Sequence, residues 1–226
     1  MKKLSNLLKN SKFKMIITLS FLLFIYTSIC AFSYAEYIST DISNSVFRLH
    51  VLANSDSKED QDLKYKVRDS LLNYMNSICN NCSNKEEAIS LVEKNKDMFK
   101  QVALDTIHNE GYNYDVNINI GNFDFPTKTY GDISLPAGSY DALRVEIGEA
   151  KGQNWWCVMF PPLCFVDVSS GIVPGDMQYQ LAEKILDENL TDEEFSIVSD
   201  TSNKNIQFKF KLLEFFNNTG LITAKK

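Results

Sequence analysis

The chain has 226 residues, 44% of them apolar and 23% charged, with a formal net charge of −6. That balance excludes a disordered, collagen-like or multi-span membrane chain and suits one domain with a small appendage. The charge is uneven. Residues 1–35 carry five lysines and no acidic group, leaving 18 of the 23 basic side chains against all 29 acidic ones, a net of −11 for the rest. A body that acidic repels phosphate backbones, so nucleic acid is not an expected partner.

Lys2, Lys3, Lys9, Lys12 and Lys14 precede residues 15–32, which carry no charge. A positive region, then an apolar one, then small residues is the order of a secretory signal, and Ser33-Tyr34-Ala35 offers a cut before Glu36. The alternative is an uncleaved anchor touching the membrane through residues 15–32, a stretch just long enough to span. Cys30 invites a lipoprotein reading, but Ile29 precedes it where a small residue is wanted. Both surviving readings leave the lysines inside and residues 36–226 outside the cytoplasm. The expected organisation is therefore a signal or anchor over 1–35 and an exported domain over 36–226.

Residues 46–52 alternate as a strand, with Phe47, Leu49 and Val51 on one face and Arg48 and His50 on the other. Asn54-Ser55-Asp56-Ser57 supplies a turn and helix caps, and Glu59 and Asp60 suit the first turn of a helix. Leu63, Val67, Leu71, Tyr74, Met75 and Ile78 follow as the apolar stripe of about five helical turns. Ser83-Asn84-Lys85-Glu86 reads as a capping box opening one further helix to Gly111, with His108 near its end. Tyr114, Val116, Ile118 and Ile120 alternate as a half-buried strand.

Residues 121–139 hold two prolines and three glycines, a punctuated loop or hairpin of the kind that carries function. Residues 142–147 read as another strand and 155–168 as one or two more. Asp176 caps a helix with Met177, Leu181, Ile185 and Leu186 on one side. Ile206, Phe208 and Phe210 alternate briefly before a terminal helix over 212–216. The order β-α-α-β-β-β-α-α predicts a single α+β domain: a mixed sheet packed against a long helical hairpin and carboxyl-terminal helices, behind the amino-terminal signal or anchor helix.

Outside the signal stand Cys79, Cys82, Cys157 and Cys164, an even count that in an exported domain favours disulfides with three possible pairings. Cys79 and Cys82 have redox or zinc spacing, yet they sit at the carboxyl end of a helix, where a staple is the simpler reading. Were residues 155–167 one straight strand, Cys157 and Cys164 would lie roughly 23 Å apart. A reversal at Phe160-Pro161 would instead set them opposite one another, near bonding range.

His50, with Ser55 or Asp56 beyond it, could serve as a general base in an exported hydrolase. An ordinary strand histidine followed by a helix cap explains the same residues. Nucleophile-elbow, zinc-protease, P-loop and dinucleotide-binding patterns are all missing, two histidines leave little for a metal, and no cofactor is expected. Trp155 and Trp156 must point to opposite faces of a strand, so at most one is core by default and the other is either covered by a helix or an exposed interface anchor. Arg48, His50, Asn54, Ser55, Asp56, Trp155 and Trp156 are the candidate partner-binding residues.

Three blocks of sequence carry a resemblance. Arg48-Leu49-His50-Val51-Leu52-Ala53-Asn54-Ser55-Asp56-Ser57, with its continuation to Asp69, closely resembles the stage II sporulation protein R family. So do Leu135-Pro136-Ala137-Gly138-Ser139-Tyr140-Asp141-Ala142-Leu143-Arg144-Val145 and Asn154-Trp155-Trp156-Cys157-Val158-Met159-Phe160-Pro161-Pro162-Leu163-Cys164-Phe165. The similarity covers roughly 46–216, with Ala150 standing where a glycine is common. The resemblance implies an exported signal of endospore formation that is not an enzyme. It would cross the forespore membrane into the intermembrane space and activate a membrane-embedded receptor-protease of the mother cell, which then cleaves the precursor of sigma-E. It transfers no catalytic residue. On this expectation Arg48, His50 and residues 121–139 are surface features.

Overall fold

The computed structural model describes residues 11–79, 82–130, 133–164 and 176–199. The chain forms two compact units, residues 1–39 and 40–226. Helix α1 (Ser11–Ser45) begins in the first and ends in the second. Within the first unit its segment Ser11–Ala31 is long and apolar enough to cross a membrane. Met15, Leu19, Leu23, Tyr26 and Ile29 are all exposed there. An apolar helix open on every side suits lipid or a translocation channel better than water.

The second unit is built on a four-stranded mixed sheet, ordered β2-β5-β1-β6, from β1 (Phe47–Leu52), β2 (Val116–Phe125), β5 (Gly138–Ile147) and β6 (Asn154–Phe160). β1 runs parallel to β5 and antiparallel to β6, and β2 is antiparallel to β5. A parallel pair needs a long crossover, which helices α2 (Lys58–Ile78), α3 (Lys85–Lys94) and α4 (Lys96–Asn109) supply on the way to β2. α2 and α3 contact β1, α4 contacts β2, and α2 packs along α4. Leu63, Val67, Leu71 and Met75 of α2 are buried as the apolar stripe requires, each contributing roughly 1.5–3 kcal/mol. Ser57 caps α2 by accepting from the Asp60 amide at 3.2 Å. Asn84 caps α3 by accepting from the Glu87 amide, whose side chain in turn accepts from the Ser83 amide, a reciprocal box.

The α+β class and the single mixed-sheet domain are as expected, but several details differ. The second helix is two, divided at Asn95, whose side chain donates to the Leu91 carbonyl at 2.8 Å and competes with the backbone ladder. Residues 121–139 are mostly strand: β2 continues to Phe125, a two-stranded hairpin β3 (Lys128–Tyr130) and β4 (Ile133–Leu135) follows, and β5 opens at Gly138. Pairing with β5 over the whole of β2 overrides the glycine at 121. Helix α5 (Asp176–Asn189) buries Ala182 and Leu186, whereas Leu181 is 49% exposed, and a further helix α6 (Asp192–Ser199) was not anticipated. The strand over 206–210, the terminal helix over 212–216 and any strand beyond 164 lie outside the described residues.

Candidate functional site

Strand alternation and register divide the candidate residues between two faces of the sheet. Leu49, Val51 and Trp155 point to the helices. Trp155 is buried there, edge-on to Tyr65 of α2 at 5.2 Å, with the Arg68 guanidinium 4.4 Å over its ring. Arg48, His50 and Trp156 occupy the opposite face.

Arg48 and His50, expected at the surface, are buried. The Arg48 guanidinium lies 4.1 Å over the Phe125 ring and 4.7 Å over that of Tyr140, and it donates to the Tyr130 hydroxyl at 2.9 Å. That hydroxyl donates onward to the Trp156 carbonyl, so Tyr130 at the end of β3 closes over the arginine. The signal missed in the sequence is Tyr130, inside a segment whose glycines and prolines suggested a loop or hairpin without marking any side chain. Burial and the nearby Arg48 charge act oppositely on the Tyr140 hydroxyl; burial dominates and its pKa is raised.

His50 is 4% exposed and stacks on the half-buried Trp156 ring, centroids 3.7 Å apart, with Phe125 edge-on to both. One ring nitrogen, Nε2, shares a hydrogen bond with Asn154 Oδ1 at 2.8 Å, while Nδ1 has no partner. Burial pushes the imidazole pKa down to about 4; the Asn154 bond opposes this and the Arg144 charge adds to it. His50 is therefore neutral at pH 7.

Asn54, Ser55 and Asp56 are engaged elsewhere. Asn54 Nδ2 and Ser55 Oγ both donate to Asp60 Oδ2, at 2.8 and 2.6 Å. Burial alone would raise the Asp60 pKa, but hydrogen bonds from Ser55, Asn54, Tyr114 and Ser57 outweigh it and hold the carboxyl below its usual value. Asn54 Oδ1 accepts from the Glu149 amide at 2.9 Å, and Asp56 Oδ1 from the Gln153 amide at 2.7 Å. The loop thus clasps the turn between β5 and β6. A Ser or Asp to His50 relay is not formed among the described residues: Ser55 gives its proton to Asp60, and His50 turns to Asn154.

The cysteines pair as Cys79–Cys82 and Cys157–Cys164, with Cα atoms 5.2 and 5.0 Å apart. The chain turns after Phe160, where Pro161 and Pro162 cannot donate to a ladder, and this brings Cys164 back to Cys157. No cluster of three metal-ligating side chains occurs among the described residues.

Residues 43–170 match the family model for stage II sporulation protein R. That span holds the clasp, both disulfides and the whole sheet. The chain belongs to the stage II sporulation protein R family. It is 36% identical over 152 residues to stage II sporulation protein R of Bacillus subtilis (strain 168), covering 67% of this chain and 68% of that one. No solved structure matches. Membership of the stage II sporulation protein R family gives the chain a role in sporulation. The apolar amino-terminal helix and the two disulfides suit a signal or anchor and export.

Proposed function

We propose that this protein is the exported signal by which the forespore instructs the mother cell. It crosses the forespore membrane, enters the intermembrane space, and activates a membrane-embedded receptor-protease that cleaves the precursor of sigma-E. The observation that carries this reading is the family match over residues 43–170. The lysine-led apolar helix and the paired cysteines support an extracytoplasmic site of action. The body acts by contact and not by catalysis, a reading supported by the engagement of Ser55, Asp56 and His50 in separate structural bonds.

Complementation tests the reading. In a Bacillus subtilis strain lacking its own relative, forespore expression of the full chain is expected to restore precursor cleavage in the mother cell. The same chain without residues 1–35 is expected to fail. Equal cleavage from both would overturn an exported signal.

A further inference from the structure

Six buried side-chain polar atoms lack a hydrogen-bond partner among the described residues, and four of them share one face of the sheet: Arg48 Nε and Nη1, His50 Nδ1 and Arg144 Nε. Register explains the convergence. His50 pairs with Arg144 on β5 and with Trp156 on β6, and Arg144 pairs with Asn119 on β2. Asn119, Arg144, His50 and Trp156 therefore form one row across all four strands. The neighbouring row, with Arg48, is sealed by Tyr130, Phe125 and Tyr140. The Asn119 row is not sealed: Asn119, Arg144 and Trp156 all keep partial exposure.

Two arginines, Arg48 and Arg144, bring positive charge to this face against the one carboxylate of Glu146. Arg48 is fully buried, and among the described residues its guanidinium meets the phenols of Tyr130 and Tyr140 and no carboxylate. Arg144 bonds Glu146 through Nη2 at 2.8 Å and leaves Nε unpaired. A small rotation of this 31% exposed side chain would present Nε and a terminal nitrogen together, the fork that fits a carboxylate. Trp156, on the far side of His50 from Arg144, stacks on the imidazole and keeps partial exposure, an aromatic of the kind that anchors interfaces.

We propose that the row of Asn119, Arg144, His50 and Trp156 is a docking ledge for an acidic, extended segment of a protein partner. The carboxylate takes Arg144 and the chain lies over Trp156. The chemistry stands on this face alone; the partner's identity as the receptor-protease rests on the signalling reading above.

The probe is a dye-labelled octaglutamate peptide added to the full chain in detergent, followed by fluorescence anisotropy, with octalysine as the opposite charge. Arg144→Gln is expected to weaken octaglutamate binding by about tenfold, and Arg144→Lys to restore part of it. Glu146→Gln removes the competing carboxylate and is expected to tighten binding by about threefold, a gain that misfolding would not produce. Octaglutamate binding equally to wild type and Arg144→Gln, or octalysine binding with the same dependence on Arg144, would overturn the ledge.

A second arm adds the same proteins to vesicles containing the receptor-protease and its precursor substrate. Cleavage by wild type that is lost with Arg144→Gln and Trp156→Ala supports the ledge. Cleavage by all three would overturn it and leave the signalling reading standing. The expected octaglutamate pattern without cleavage by wild type would overturn the signalling reading and support the ledge for another acidic partner.

Discussion

Ala150 lies in the turn between β5 and β6 with φ 51°, a left-handed conformation that costs a residue bearing Cβ roughly 1–2 kcal/mol. A glycine, lacking Cβ, would adopt this conformation without that cost. Ala150→Gly is expected to stabilise the protein by about 1 kcal/mol, read as a higher urea midpoint at unchanged slope. His50 gives a pH signature. Its folded pKa is about 4 against 6.5 for a free imidazole, so between those values the unfolded chain binds more protons. The stability held above pH 6.5 is thus lost as the pH falls toward 4, by at most about 3 kcal/mol. His50→Phe is expected to flatten this acid limb in urea titrations from pH 7 to pH 4. An unchanged limb would mean that His50 is not the group responsible. Lys64 works at the other end of the scale. Burial, helped by the Arg68 charge, lowers its pKa to about 8 despite the opposing Asp56, while its ammonium donates to the Gln153 carbonyl at 3.2 Å. The unfolded chain again binds more protons, here between about pH 8 and 10.5, so stability rises with pH across that window, and Lys64→Met is expected to remove the rise.

Among the elements, the clasp between the β1–α2 loop and the β5–β6 turn depends on close approach. A Cβ on Gly152 would stand 2.2 Å from the Ser55 carbonyl oxygen, which is backbone and cannot swing aside. Gly152→Ala is expected to cost about 2 kcal/mol or more, measured by urea unfolding. The Cys157–Cys164 bond closes a short loop at the end of β6, and replacing both cysteines by alanine is expected to cost about 2–3 kcal/mol. Much of this layer was readable from periodicity. The α2 stripe, the β1 and β2 alternation and the helix caps all follow from spacing that local physics enforces. The division at Asn95 was not, because a single asparagine in a strong apolar stripe does not announce which backbone carbonyl its amide will take. The β3–β4 hairpin was legible only as one of two alternatives, loop or hairpin: three-residue strands leave too little alternation to decide, and Tyr130 meets Arg48 across 82 positions of sequence. Arg48 and His50 alternate as an exposed face but are covered from elsewhere, Arg48 by Tyr130, Phe125 and Tyr140 and His50 by Trp156 and Phe125.

For the whole molecule, the division of charge into a basic leader and an acidic body was legible at once, and it fixed the expected side of the membrane before any element was placed. The body's negative total concealed the opposite sign on one sheet face, since a net charge carries no information about which strands bring which side chains together. Register does that. The most direct measurement of the central claim is cleavage of the sigma-E precursor in vesicles that hold the receptor-protease, with the full chain supplied from the side opposite the precursor. Cleavage that begins on addition of the chain, and that survives Ser55→Ala, is the predicted result. Intact precursor in vesicles whose receptor-protease is otherwise competent would contradict it.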